Sequence, residues 1–169
     1  PFNLAHLDSF AGGMTRKEIT VVGGRPGHGK TTLIINIIRG LIYQGFKVML
    51  FNREMSNTEM LKKMVVMESK DLNYGHVRKN ELDDNGQDEF DITSDVMKDK
   101  YKNLIMYDNI RSLDDCLREI SKHKPDVVLD DYIQLIQVDG IKEGRRFEIE
   151  KIMQEYKWIS KSEDCSVIL

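Results

Sequence analysis

Gly24-Arg25-Pro26-Gly27-His28-Gly29-Lys30-Thr31 is the stretch whose reading decides the fold of this chain. It fits G-x-x-x-x-G-K-[ST], the phosphate-binding loop of nucleotide hydrolases. That pattern has meaning only between a strand and a helix, and the flanks supply both. Ile19-Thr20-Val21-Val22 is a short apolar, β-branched run that reads as a buried strand. From Lys30 onward, Leu33, Ile34, Ile35, Ile37, Ile38, Leu41 and Ile42 make a helix apolar on most sides, which predicts burial.

The residue types carry the chemistry. Glycines let the backbone turn tightly and aim successive N–H groups at phosphate oxygens. The helix N-terminus adds partial positive charge at the same place. The nucleotide would lie along Gly24, Arg25, Pro26, Gly27, His28, Gly29, Lys30, Thr31 and Thr32. Lys30 would reach the β- and γ-phosphates, and the Thr31 hydroxyl would ligate Mg²⁺. Arg25 and His28 occupy variable positions of the pattern and read as solvated loop side chains.

Composition sets the outer bounds. The 169 residues suffice for one domain with a proper core, 1–169, and are too few for two. A hydrophobic content of 40% with 31% charged residues fits a globular chain. A formal net charge of −3 excludes a protein that coats nucleic acid with its whole surface, but not one basic loop that does so. No apolar run is long enough to span a membrane and no signal peptide is legible. Cys116 and Cys165 show no paired metal spacing and fit structural thiols in a reduced, cytoplasmic setting. The chain starts at Pro1 and stops at Leu169 inside an apolar run, which reads as a fragment of something longer.

The remaining segments alternate. Residues 1–18 read as a lead-in packed on the sheet edge, with Phe2, Leu4, Leu7 and Phe10 as its apolar positions. Gly45 closes the helix after the glycine loop. Lys47–Asn52 is the second strand, and Ser56 with Glu59 forms a capping box that starts a helix. Residues 70–101 predict one or two modest helices, and the acidic cluster from Asp83 to Asp91 reads as a solvated face. Asn103–Tyr107 is the third strand. Ser112 with Asp115 reads as a second capping box, opening a helix with Cys116 on its apolar face. Val127–Asp131 is the fourth strand. A polar loop from about Val138 to Arg146 leads to an amphipathic helix with Ile149, Ile152, Met153, Tyr156 and Ile159 on one side. Ser166–Leu169 begins a fifth strand.

Strands alternating with helices mean an α/β fold, a mainly parallel sheet with helices on both faces. Ligands in such sheets sit at the strands' carboxyl ends. The glycine loop, Glu54 and Asp130-Asp131 all fall there. An apolar strand ending in Asp suits the carboxylate that holds Mg²⁺ opposite the loop. Adjacent strand residues face opposite ways, so Asp130 and Asp131 cannot share the task, and spacing alone does not choose between them. Glu54 is placed to orient or deprotonate an attacking water, or equally to serve as the first-turn acid of the next helix. Lys142, Arg145 and Arg146 form a basic loop beyond the site. It could contact nucleic-acid phosphates or be an ordinary solvated loop.

On these residues the chain resembles the RecA-like motor domain of the DnaB-type replicative helicases. Gly24-Arg25-Pro26 before Gly29-Lys30-Thr31-Thr32 is similar to that family's first motif. Phe51-Asn52-Arg53-Glu54-Met55 is similar to its strand ending in Glu-Met. Asp130-Asp131-Tyr132-Ile133-Gln134-Leu135 is similar to its Ile-Asp-Tyr-Leu-Gln-Leu strand. The resemblance implies a RecA-like P-loop NTPase using ATP and Mg²⁺. It selects Asp131 as the Mg²⁺-associated carboxylate, leaves Asp130 where the family has an apolar residue, and makes Glu54 the catalytic base beside Lys30. It implies a homohexameric ring whose ATP hydrolysis drives translocation on single-stranded DNA, with primase and a helicase loader as partners. The basic loop then corresponds to the central-channel DNA loop.

The chain departs from the pattern in lacking the family's serine-glutamine sensor, arginine finger, N-terminal domain and linker helix. The expectation for this fragment is therefore Mg·ATP binding with slow hydrolysis and no unwinding. Two rival readings stand beside it. One is another RecA-like ATPase, of the recombinase or KaiC kind. The other is a nucleotide-gated binding module without turnover.

Overall fold

The computed structural model describes residues 2, 4–25, 27–138 and 144–169. Pro26 and Lys142, both named above as site residues, lie outside them. The chain forms two compact units, Pro1–Glu54 with Asn103–Leu169, and Met55–Lys102.

The first unit is built on five parallel strands: β1 (Ile19–Thr20), β2 (Val48–Asn52), β3 (Leu104–Tyr107), β4 (Val127–Asp131) and β5 (Ser166–Ile168). Their order across the sheet is β1-β5-β4-β2-β3. All pairings are parallel, so every strand's carboxyl end lies at the same edge. The central strands β2 and β4 are buried along their whole length, which is why they read as apolar runs rather than alternating ones.

Alternation sorts their side chains onto two faces. Met49, Phe51, Val128 and Val167 join a core with α6 (Leu113–His123) and α7 (Arg145–Ser162) through Cys116, Ile120, Ile152, Tyr156 and Ile159. The intervening Val48, Leu50 and Asn52 are fully buried and face the other way. On that side lies α2 (Lys30–Tyr43), which buries Ile34, Ile35, Ile37, Ile38, Leu41 and Ile42. Gly45 follows it in the left-handed region, φ 84°, where glycine ends a helix without strain.

The outer segments differ from the sequence reading. The lead-in is a helix, α1 (Ala5–Ala11), with no buried residue, and Phe10 is 94% exposed. Of that segment Phe2 is buried, and its N–H is held by the Asp8 carboxylate. The first strand is two residues long and half-buried, and Val21 is 61% exposed. An edge strand needs burial on only one flank, so an apolar, β-branched run there overstates its depth. The ladder continues past β1 through Val22 N–H donating to Leu169 O at 2.8 Å. Ser112 precedes α6 at the N-cap position, yet its side chain makes no capping bond.

The second unit contains α3 (Asn57–Glu68), α4 (Tyr74–Lys79) and α5 (Asp84–Lys100). Ser56 caps α3, accepting from Glu59 N–H at 3.2 Å. The box is half-formed, because the Glu59 carboxylate instead accepts from Tyr74 Oη at 3.0 Å. α5 runs to 17 residues, far longer than the modest helix read from the polar sequence. Its stripe is thin, with Met97 its one buried residue. The acidic positions serve local structure. Asp83 caps α5 through Gly86 N–H, and Glu89 accepts from the backbone of Lys70 and Asp71. Among the described residues, no helix is long and apolar enough to cross a membrane.

Candidate nucleotide site

The glycine loop lies between β1 and α2, at the carboxyl edge of the sheet. Gly27 and Gly29 adopt φ of 78° and 82°, the left-handed region that a side chain would strain. A Cβ built at either would meet open space, so the backbone there faces room rather than neighbouring atoms. Between them the loop is pinned by His28 N–H donating to Arg25 O at 3.2 Å. Gly29 is the N-cap of α2 and offers no capping side chain, and the first turn of α2 carries no acid. The N–H groups at this end therefore have neither a capping side chain nor a first-turn acid to answer them among the described residues, and the helix dipole adds to their pull. Such an end can take phosphate oxygens.

Lys30 folds back over the loop. Its Nζ donates to Gly24 O at 2.8 Å and sits 6.0 Å from the Tyr132 ring centroid. A cavity of about 140 Å³ opens beneath it, lined by Gly24, Lys30, Asp131, Tyr132, Ile133 and Leu169 among others. Arg25, His28 and Thr32 are exposed.

Thr31, next after Lys30, approaches Asp131, a residue lining this cavity, Oγ1 to Oδ2 at 3.4 Å. A hydroxyl and a carboxylate so close are the oxygen donors that a hard divalent cation takes. Asp131 is buried, and its pKa is raised, first by burial and then by the nearby Glu54 carboxylate; Thr31 and Lys30 work in the opposite direction. A bound cation would relieve that strain on the charged form. Glu54 is exposed, just past the carboxyl end of β2. The peptide bond between Asp131 and Tyr132 is cis.

Asp130, which spacing could not separate from Asp131, is turned to the other face. There it forms a two-pronged ion pair with Arg53: Nε to Oδ1 and Nη2 to Oδ2, both 2.7 Å, with the side chains 1% and 0% exposed. Tyr156 of α7 donates its hydroxyl to the same carboxylate. Arg53 also donates to Ile110 O and to Cys116 Sγ, the latter at 3.0 Å, and its guanidinium lies 5.5 Å from the Phe51 ring centroid. Burial works against the guanidinium's charge, but Asp130 outweighs it and the net pKa is raised. Cys116 is thus more than packing. Burial pushes its thiol pKa up, while Arg53 pulls the other way. Sequence reasoning missed this cluster. Its signal was an arginine closing an apolar strand, opposite an aspartate doublet closing another.

The basic segment is only partly described. Arg145 and Arg146 belong to the first turn of α7 rather than to a loop. Arg145 is occupied: it donates to Ile136 O at 3.2 Å and Ile133 O at 3.3 Å, and pairs with Glu148. Arg146 is exposed.

Comparison with known proteins fits this geometry. The chain is 29% identical over 175 residues to the replicative DNA helicase DnaB of Mycoplasma pneumoniae, covering 96% of this chain and 36% of that relative. It is 25% identical over 174 residues to the DnaB of Helicobacter pylori strain 26695, covering 99% of this chain and 35% of that relative. The chain thus spans little more than a third of the length of these curated relatives. Two solved structures share its RecA-like fold at 20% identity. The ATPase domain of G40P matches with a TM-score of 0.86, over 99% of this chain and 61% of that one. A DnaB-like replicative helicase, studied with its interactions with primase, matches with a TM-score of 0.84, over 99% and 42%. The family model of the DnaB-like helicase C-terminal domain matches residues 1–169, and the protein belongs to that family.

Proposed function

We propose that this chain binds Mg·ATP and hydrolyses it as the motor domain of a replicative DNA helicase. The observation that carries the reading is the approach of Thr31, at the end of the glycine loop, to Asp131 at 3.4 Å. Family membership supports the same activity. The backbone of residues 24–29 would bind phosphate oxygens, and Lys30 would add the charge that steadies them. Thr31 and Asp131 would hold Mg²⁺, which when bound neutralises charge on the transferring phosphoryl group. Glu54 would orient and deprotonate the attacking water. Its exposed position beyond β2 suits a group that must accept a proton from solvent-borne water.

The reading extends to partners. Arg146, with Lys142, would contact the phosphates of single-stranded DNA, while Arg145 braces the start of α7. The protein would work as a homohexameric ring in the cytoplasm, with primase and a helicase loader as partners. The primase assignment is supported by the DnaB-like helicase whose structure concerns that interaction.

The test is ATP hydrolysis by this chain and by the full-length protein, with and without single-stranded DNA, beside Glu54→Gln. The expected result is DNA-stimulated turnover in the full-length protein, cut by about two to four decades in the variant, with Mg·ATP affinity kept. Nucleotide binding with no turnover in either form would favour a nucleotide-gated switch. Turnover indifferent to DNA would favour another RecA-like ATPase.

A further inference from the structure

Asn52 is the last residue of β2 and pairs in register with Asp131 on β4. Paired residues of neighbouring strands share a face, so the amide lies on the side of the sheet that carries Asp131. Asn52 is fully buried, yet neither its Oδ1 nor its Nδ2 has a hydrogen-bond partner among the described residues. Buried polar side chains are nearly always paired, because an unmet donor or acceptor carries its whole desolvation cost. Leucine shares its branching and number of side-chain heavy atoms, and carries no polar atom to desolvate. The fold alone gives no reason for an amide here.

Its surroundings do. The strand partner is the carboxylate facing Thr31, and Glu54 stands two residues further along the chain. An amide is neutral and can both donate and accept, so it can order a water molecule without adding charge beside Asp131. A second carboxylate there would compete for the cation, and an apolar residue could hold nothing.

We propose that Asn52 is a positioning residue of the nucleotide site, its amide completed by a water molecule that it shares with Asp131 when the site is loaded. The inference rests on the Mg·ATP reading above. Asn52 touches no reacting atom; it acts by fixing the rotamer of Asp131 and the water beside it.

The full-length protein carrying Asn52→Leu tests this, with Asn52→Ser as a second variant that keeps a hydroxyl. Three quantities are read: melting temperature without nucleotide, affinity for a fluorescent ATP analogue across a Mg²⁺ titration, and kcat against KM. The expected Leu variant melts at or above the parent. It needs about tenfold more Mg²⁺ for half-maximal binding, and loses about tenfold in kcat with KM changed less than about twofold, the size of one water-mediated hydrogen bond. Serine recovers part of both losses. A Leu variant with the parent's Mg²⁺ midpoint and kcat overturns the inference. So does a clear loss of melting temperature in both the Leu and the Ser variant, since the amide that both remove then has a structural partner. A parent that binds nucleotide without regard to Mg²⁺ overturns the reading beneath it, and that result is visible before any variant is made.

Discussion

On one side of the seam between β2 and β4, Asp130 is answered completely: Arg53 grips it with two nitrogens at 2.7 Å, and Tyr156 donates a third bond. On the other side, one residue along, Asp131 meets a threonine hydroxyl at 3.4 Å and the repulsion of Glu54, and the neighbouring Asn52 amide has no hydrogen-bond partner among the described residues. The residues are alike, adjacent and equally buried, 2% exposed each. What separates them is the two-residue period of the strand. The satisfied face ties β2, β4, α6 and α7 together, while on the other face Asp131 has a single long contact to Thr31 and a raised pKa. On the proposed reading, the incompletely met carboxylate belongs to the binding site and the fully met one to the scaffold.

The comparison breaks most visibly if the scaffold aspartate is removed. Asp130→Ala leaves the Arg53 guanidinium buried without its counter-charge, and breaking a buried pair from one side costs about 3–5 kcal/mol. For a chain of this size that is a fall in melting temperature of roughly 10 °C, read by circular dichroism. Asp131→Asn should do the opposite. It removes a carboxylate whose charged form burial already disfavours, so melting temperature should hold or rise. Mg²⁺-dependent ATP hydrolysis should fall by about a hundredfold or more, as when a preorganised electrostatic group is lost. If the two substitutions trade signatures, Asp131 destabilising and Asp130 silencing catalysis, the assignment of faces is reversed.

The sequence carried the frame well and the edges poorly. β4 was legible from Val127 to Asp131 because a central parallel strand is buried on both sides and so is continuously apolar. The helix after the glycine loop was legible for the same reason, being buried around most of its circumference. At the margins the same rule misled: Val21 is apolar and β-branched, yet largely exposed beyond a two-residue edge strand. α5 was underread because its stripe is thin. In the candidate site, the loop with Lys30 and Thr31 was named from pattern, whereas position left Glu54 open between a water-orienting role and a first-turn acid, and only the resemblance chose. Asp131 could be chosen over Asp130 only through family resemblance, since the deciding quantity is which side of the sheet a side chain leaves from. Arg53 lay in plain view beside Glu54, but its partner is 77 residues away, and nothing local encodes that contact.

The smallest expected effect sharpens the comparison furthest. The resemblance places an apolar residue where Asp130 stands, so a sheet of this kind does not need a charge there. A buried ion pair replaced by apolar groups of similar volume is often neutral, because the desolvation cost of both charges disappears with their attraction. Arg53→Leu with Asp130→Ile alone would not reach neutrality, since the Tyr156 hydroxyl would lose its acceptor in the core. An unmet buried hydroxyl costs about 1–3 kcal/mol. Adding Tyr156→Phe removes that debt. The triple variant should therefore melt within about 1 kcal/mol of the parent, against the loss of about 3–5 kcal/mol for Asp130→Ala alone. ATP turnover should stay within a few-fold, because none of the three side chains faces the phosphate cradle. A triple variant as unstable as Asp130→Ala would mean that the ion pair itself holds the seam closed. A stable triple variant that no longer hydrolyses ATP would mean that the scaffold face sets the geometry of Glu54 and Asp131, and that the two faces are one machine.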